Sequence, residues 1–562
     1  MKKVLNKITF LLLAMVLLPS CDSMLEEKNY GNPTLEEMLE NEENVVLLVG
    51  QAYAEIKWLH DHWGYWGVNS LTSDECVCPV RMPGEHWSDG GYWKNLNTHN
   101  WNQFGEAFEN IWNTTISGAV LCNQVLAALE SNVDNMDAEV YEQYVAELEV
   151  LRSYYYYMLF DCFGRIPYQE EFIENAEPLT EPEVVWSSLV KVLERNAPKL
   201  PVVNDGNRAM YYGRVTQGMA YTLLARLYLN AESFGCTVDN IDADLGIVST
   251  EDFYTKTVEA CDKIIDSQSY AIESNFFNNF LIENEDSKEN IFVIVENGNA
   301  DFDSRSNGSM SNKLRMTILT LHYAHQTAWN MIEKPWNGFA GRPSFIDRYE
   351  ATDVRGPGNE GNGTLNTKQW GWFVGPIYDA EGNILEDENG DEANITKAIT
   401  GLSDATWNDG ARMLKYEVDK EGTYAYAEND FVLMRYADVL YMKEEAILRG
   451  GTGTSMINDP EFQLIRQRAF AYDEDGGASK VYTAATLDLD ELADERGREF
   501  AWENIRRRDL IRFGKFSDAS YVQYVTNTEA FRKWFPIPYK VLEKSERDEN
   551  GDPIWTQNEG YE

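Results

Sequence analysis

Several groups of residues in this chain have the types and spacing to do chemistry. His60, His62, Cys76, Cys78, His86 and His99 lie in one short stretch, and imidazole and thiolate are the donors that zinc prefers. Their HxH and CxC spacings are not those of structural zinc sites, so they predict packing roles and no metal centre. His322 and His325, one helical step apart, read as core or surface residues for the same reason. Asp74 and Glu75 are paired carboxylates, and hydrolysis of a glycosidic bond needs two such groups about 5 to 10 Å apart across a cleft. Glu495, Arg498, Glu499 and Glu503 recur at three- and four-residue steps, where acid and base pair along one helix face and fix packing. No catalytic role is assigned to them. Asp387-Glu388-Asn389-Gly390-Asp391 and Asp548-Glu549-Asn550-Gly551-Asp552 resemble calcium loops in composition only. Both lack the bidentate glutamate at the twelfth position, and Asn-Gly signals a tight turn.

Aromatic rings are the stronger signal. The chain has 16 Trp, 31 Tyr and 24 Phe. Trp58, Trp63, Trp66, Trp87, Tyr92, Trp93 and Trp101 crowd one region; Tyr323, Trp329, Trp336, Trp370 and Trp372 crowd another. A pyranose presents an apolar face of C–H groups that packs flat on an indole, and neighbouring Asn, Asp or Arg can take its hydroxyls. Large aromatics are mostly buried on average, so only a few of these rings should be exposed. Gly and Asn neighbours select Trp93, Trp336 and Trp372 as loop positions, with Trp329 and Tyr323 beside them, as expected ligand contacts.

The elements that must position these rings are mostly helices. Residues 44–59 put Val45, Leu48, Ala52, Ile56 and Leu59 on one face at three- and four-residue steps. The same habit runs through 106–129, 138–162 (ending at Gly164 and Pro167), 183–196, 252–266, 432–449, 459–470 and 487–504. Thr216 is the expected N-cap of a helix through Leu223, Leu227 and Tyr228. Helices in such succession predict stacked pairs in a solenoid. Residues 275–415 interrupt the pattern: Ile291 to Val295 reads as a strand, and the rest is rich in Gly, Asn, Asp and Trp. Long irregular segments within a helical protein are commonly functional, and residues 58–104 are similar in kind. A helical-barrel glycosidase would show regular hairpins throughout, which residues 275–415 do not.

The net charge of −45 argues against nucleic acid or an anionic lipid surface as partner. Lys2, Lys3 and Lys7 precede the apolar run Ile8 to Leu18, which is too short to span a bilayer and reads as an export signal over residues 1–20. It ends in Leu18-Pro19-Ser20-Cys21, the pattern cut by the lipoprotein signal peptidase, so Cys21 is the expected lipidation site and 21–35 a tether. Pro19 departs from the usual small or aliphatic choice. More than one acyl chain on that cysteine anchors a protein without a membrane helix. Six cysteines remain: Cys76, Cys78, Cys122, Cys162, Cys236 and Cys261. Cys122 and Cys162 sit in apolar helical stretches and read as buried hydrophobes, and no disulfide is required.

Several blocks resemble the SusD/RagB family of nutrient-binding outer-membrane lipoproteins. They are Thr72-Ser73-Asp74-Glu75; Glu147 with Leu151-Arg152, Tyr154 to Tyr157 and Phe163 to Pro167; Gly213 to Thr216 with Leu223 to Leu229; and Arg435 to Leu440 with Glu445-Ala446 and Arg466 to Ala469. Glu495 to Phe500 continuing to Gly514, then Phe535 to Pro538 and Gln557 to Tyr561, complete the series in the same order. Asn504, Gln463 and Glu559 stand where glycine, asparagine and proline are usual in that family. The resemblance implies a mainly α fold, a tetratricopeptide-like helix-pair superhelix (SusD-like) supporting a loop-rich irregular lobe. It divides the chain into N-terminal helical repeats over 36–274, a capture lobe over 275–415, and C-terminal helices with the signature region over 416–562. It further implies a non-catalytic protein of the cell surface that takes up oligosaccharide, or in some members peptide, for a SusC-like TonB-dependent transporter. No cofactor is expected.

Overall fold

The computed structural model describes residues 42–84, 87–173, 177–296, 315–357, 371–422, 427–547, 549–551 and 553–562. Cys21, the export signal, the tether, His86 and Trp370 lie outside the described residues. Contacts divide the chain into residues 1–48, of which the start of helix α1 (Glu42–Ala52) is described, and one compact unit over 49–562. No helix among the described residues is long and apolar enough to cross a membrane.

Helices α2 (Tyr65–Thr72) and α3 (Tyr92–Asn97) precede the long pair α4 (Glu106–Ser131) and α5 (Ala138–Phe163), followed by α6 (Pro182–Asn196), α7 (Gln217–Leu229) and α8 (Thr250–Ser267). Their starts follow from capping chemistry. The Asp137 side chain accepts from the N–H groups of Glu139 and Val140, Thr216 Oγ1 accepts from Met219, and Ser249 with Asp252 closes a capping box. Each such cap contributes about 1 kcal/mol. Gly164 ends α5 at φ +70°, a conformation that favours glycine.

Each helix packs on the next, α4 on α5, α5 on α6, α6 on α7 and α7 on α8. Helix α5 is buried on every side from Val150 to Phe163, so the run Tyr154 to Tyr157 points into protein all round. The hydroxyls still find partners: Tyr155 donates to Ala52 O at 2.7 Å and Tyr156 to Gln169 O at 3.0 Å.

After α8 the chain leaves the stack. It passes through the short helices α9 (Arg315–Thr320) and α10 (Ala324–Trp329), then returns as α11 (Tyr436–Leu448), which packs on α7 and α8. Helices α12 (Pro460–Arg468), α13 (Leu489–Phe500), α14 (Arg506–Arg512) and the short α15 (Tyr539–Lys544) follow. Among its described residues the intervening lobe holds three two-stranded antiparallel sheets: β1 (Asn290–Ile294) with β6 (Phe431–Arg435), β2 (Trp372–Phe373) with β5 (Arg412–Met413), and β3 (Gly375–Pro376) with β4 (Asn394–Ile395). Residues 432–435, expected to begin a helix, are therefore a strand. Phe431 to Met434 bury both faces against β1, and the helix begins only at Tyr436. A small apolar core, including Leu321, Trp329, Phe373, Ile377 and Ile395, holds the lobe together, and Trp336 packs on its edge.

A buried charge network joins lobe and stack. Arg435 contacts Glu289, Glu499 (2.9 Å) and Glu503 (2.8 Å); Arg468 bridges Glu289 and Glu499 at 2.6 Å each; Arg355 bridges Asp353, Glu495 and Glu499. The signature acids and bases are thus engaged in packing: Glu495 and Arg498 pair along α13 at 2.8 Å, whereas Glu499 and Glu503 pair with cations of other segments, and Glu503 lies past the helix end at Phe500, short of the expected 504. Buried Glu499 is held down at about 2: burial raises it, and the arginines outweigh burial.

Candidate ligand-binding platform

Four half-buried rings come together from three segments. Trp63 lies in the turn before α2, Trp87 in the segment before α3, Tyr92 at the start of α3, and Trp336 in the segment after α10. The centroids of Trp87 and Trp336 are 5.1 Å apart at 54°, and those of Trp63 and Tyr92 are 5.1 Å apart at 32°. Trp93 and His62 lie buried behind them. Trp93 is 4.4 Å from Trp63 and 6.1 Å from Trp87, and His62 is 5.4 Å from Trp87 and 6.3 Å from Trp336. His62 Nδ1 rests 2.8 Å from Asp61 Oδ1, and the same oxygen accepts the Trp63 N–H at 2.8 Å.

The lobe segment is fixed by its backbone. Trp336 N–H donates to Ile318 O at 2.7 Å, Asn337 N–H to Leu321 O at 3.0 Å, and Gly338 N–H to Leu319 O at 2.8 Å. Asn337 takes φ +54°, and its side-chain oxygen accepts from Arg412 at 2.7 Å. Buried Arg81 donates to Asn337 O (2.6 Å), Thr406 O (2.8 Å) and Asp409 O (2.7 Å). Burial lowers Arg81 to about 10 and Arg412 well below the usual guanidinium range. Both spend their donors on loop carbonyls, which rigidifies the segments carrying Trp336 and Trp407. Gly338 lets Trp87 approach, since a Cβ there would lie 2.3 Å from the indole.

A second pair adjoins the segment leading to Trp87. Tyr323 and Trp407 meet edge to face at 5.5 Å, and Trp407 Nε1 donates to Pro83 O at 2.8 Å. Lys334 Nζ sits 4.3 Å over the Tyr323 ring and pairs with Glu388. Tyr323 is half-buried.

Of the expected contacts, Trp336 and Tyr323 keep partly exposed rings, and three others do not. Trp93 and Trp372 are 0% exposed and Trp329 is 3%. Trp93 is drawn inward by α3, Trp372 is paired to Met413 and packs on Trp502 at 5.7 Å, and Trp329 packs on His325 at 4.4 Å. Their Gly and Asn neighbours mark turns, and the turns aim these rings into the core. Trp63, Trp87 and Tyr92 belonged to the noted crowd without being selected. The Gly-rich flanks of Trp87 were the available signal.

The other chemical candidates are absorbed by packing. Buried Asp74 is held between Arg506 (2.7 Å) and Arg348, and its carboxyl lies far below the ordinary range. Glu75 is also buried, accepts the Trp502 N–H at 2.9 Å, and is pushed up to about 8 by burial. Neither lines a cleft. His60 bonds Asn504 at 2.8 Å, His99 bonds Thr72 O at 2.8 Å, and the six cysteines from Cys76 to Cys261 are buried and unpaired. Burial lowers His99 and His325 to about 3. The Asp387 side chain caps the N–H groups of Asn389 and Asp391 within a turn.

A family model described as SusD family matches residues 288–561, and one described as starch-binding associating with outer membrane matches 69–229. The chain belongs to the SusD/RagB family. It is 25% identical over 524 residues to the starch-binding protein SusD of Bacteroides thetaiotaomicron, covering 88% of this chain and 84% of SusD. Among solved structures, surface glycan-binding protein A from Bacteroides fluxus is 22% identical with a TM-score of 0.67, covering 93% of this chain and all of that one. The Bacteroides thetaiotaomicron protein of that name, solved in complex with laminarihexaose, is 20% identical with a TM-score of 0.67, over 92% and 99% of the two chains. At these identities the likeness to the solved structures is one of SusD-like fold.

Proposed function

We propose that this SusD-family chain is a glycan-binding protein of the outer membrane, anchored by lipid on Cys21, which captures oligosaccharide without cleaving it. In this reading the sugar lies across Trp87 and Trp336, flanked by Trp63 and Tyr92, with Tyr323 extending the surface. The carrying observation is the Trp87–Trp336 pair, two half-buried indoles at 5.1 Å held by a rigid backbone. Such rings offer apolar faces to sugar C–H groups, and the ordering cost is already met in the free protein. The relatives' names, starch-binding and surface glycan-binding, support the same class of ligand. Delivery to a SusC-like TonB-dependent transporter completes the proposal.

Isothermal titration against a glycan panel, with a parallel assay for released reducing sugar, tests it. Binding without turnover is expected; hydrolysis by the pure protein overturns the non-catalytic reading. Incorporation of labelled palmitate that is lost in Cys21→Ser tests the anchor, and co-purification with a barrel transporter from the native membrane tests the partner.

A further inference from the structure

Beside the rings stands a carboxylate that serves buried Trp93 and still reaches solvent. Asp89 is exposed, yet its backbone takes φ +47°, followed by Gly90 at +64° and Gly91 at +85°. A left-handed conformation is uncommon for residues other than glycine, and here Asp89 adopts it ahead of two glycines that do so freely. The outcome is a fixed side chain: Trp93 Nε1 donates to Asp89 Oδ2 at 2.8 Å. Burial raises the Asp89 carboxyl above its ordinary value, and the indole N–H groups of Trp93 and Trp87 and nearby His62 offset only part of that rise. A carboxylate has about four lone-pair positions. Trp93 and Trp87 draw on it from the protein side, and the solvent side offers the remaining positions to ligand hydroxyls.

The cations on the same segments are engaged. Lys94 donates to Ser403 Oγ at 3.1 Å, Arg81 is spent on carbonyls, Lys334 pairs with Glu388, and His62 lies against Asp61. Among the described residues of these segments, an acidic sugar meets the Asp89 carboxylate, with Lys334 already paired to Glu388 and Arg81 and Lys94 held by neutral oxygens, on a protein of net charge −45. Like charges brought together in a partly desolvated site oppose binding.

We infer that Asp89 is the hydrogen-bonding anchor of the platform, accepting hydroxyl hydrogens of a neutral sugar and rejecting uronate-bearing or sulfated glycans. This rests on the platform reading above. Its test is titration of the wild-type protein, Asp89→Asn, Asp89→Ala and Trp336→Ala with neutral gluco-, manno- and xylo-oligosaccharides, and with polygalacturonate and heparin. The wild type should bind a neutral probe, and Asp89→Ala should weaken it at least tenfold. Asp89→Asn should narrow the gap between neutral and acidic probes. If Asp89→Ala lowers the melting temperature, Asp89→Asn carries the test, because its amide oxygen still accepts from Trp93. Unchanged binding by both Asp89 variants, with loss in Trp336→Ala, overturns the anchor and leaves the platform standing. Preference of the wild type for an acidic probe overturns the inference; binding of no probe overturns the platform with it.

Discussion

Gly338 and Trp87 are matched: the space a Cβ would need on Gly338 is filled by the six-membered ring of Trp87, 2.3 Å away. Gly338 N–H is bonded to Leu319 O, so the backbone cannot retreat, and Leu319 O itself would lie 3.1 Å from that Cβ. Gly338→Ala should therefore expel Trp87 from its place against Trp336. The expected result is a changed near-ultraviolet circular dichroism spectrum and a roughly tenfold loss of glycan affinity, about 1.4 kcal/mol.

Trp336 and Trp93 separate binding from stability. Trp336 is partly exposed at the edge of the lobe core, so Trp336→Ala should weaken binding by about tenfold with a modest change in melting temperature. Trp93 is fully buried, and Trp93→Ala should cost about 3–5 kcal/mol of stability by leaving a cavity. Denaturant titration beside calorimetric binding measures both. Equal stability losses for the two would contradict the placement of the rings.

Acid should loosen the junction of lobe and stack. Glu499 at that junction, and Asp509 between α13 and α14, are lowered to about 2 by the arginines around them. Their stabilisation is present above the ordinary carboxylate range near pH 4–4.5 and is lost as pH falls toward 2. Removing one partner of such a network leaves buried charge uncompensated, so Arg435→Ala should cost about 3–5 kcal/mol at neutral pH. Thermal melts from pH 7 to pH 2 follow both effects.

Glu75 acts in the opposite direction. Its folded carboxyl titrates at about 8, so the folded state keeps a proton that the unfolded chain releases near pH 4.5. Stability from this group is intact below pH 4.5 and declines as pH rises toward 8, by a few kcal/mol at about 1.4 kcal/mol per unit. Glu75→Gln keeps an oxygen for the Trp502 N–H and removes the titration. The variant should melt higher than the wild type at pH 8 and alike at pH 4.5.

The helices were legible because their signal is local. Spacing and caps placed 138–162 within a residue of Ala138–Phe163, and Thr216 does cap its helix. The buried character of Cys122 and Cys162 was equally readable from apolar neighbours. Ring exposure was not local. Trp93 and Trp87 share a Gly-rich stretch, yet Trp93 is fully covered by Trp63, His62 and Tyr92, while Trp87 stays half-buried against Trp336 and Gly338 of the lobe, remote in sequence. The strand at 431–435 was missed for a related reason: its partner, Asn290–Ile294, belongs to another part of the chain.

The Arg435 network has a bearing on biosynthesis. Glu289, Arg435, Arg468 and Glu499 stay charged inside the protein and balance one another there, and Glu499 is the last of the four to be synthesised. Until then the earlier three must stay hydrated, which keeps the nascent lobe from closing prematurely. A product truncated before Glu499 would leave two buried guanidinium groups to share the single carboxylate of Glu289, and would present itself to proteases as unfinished.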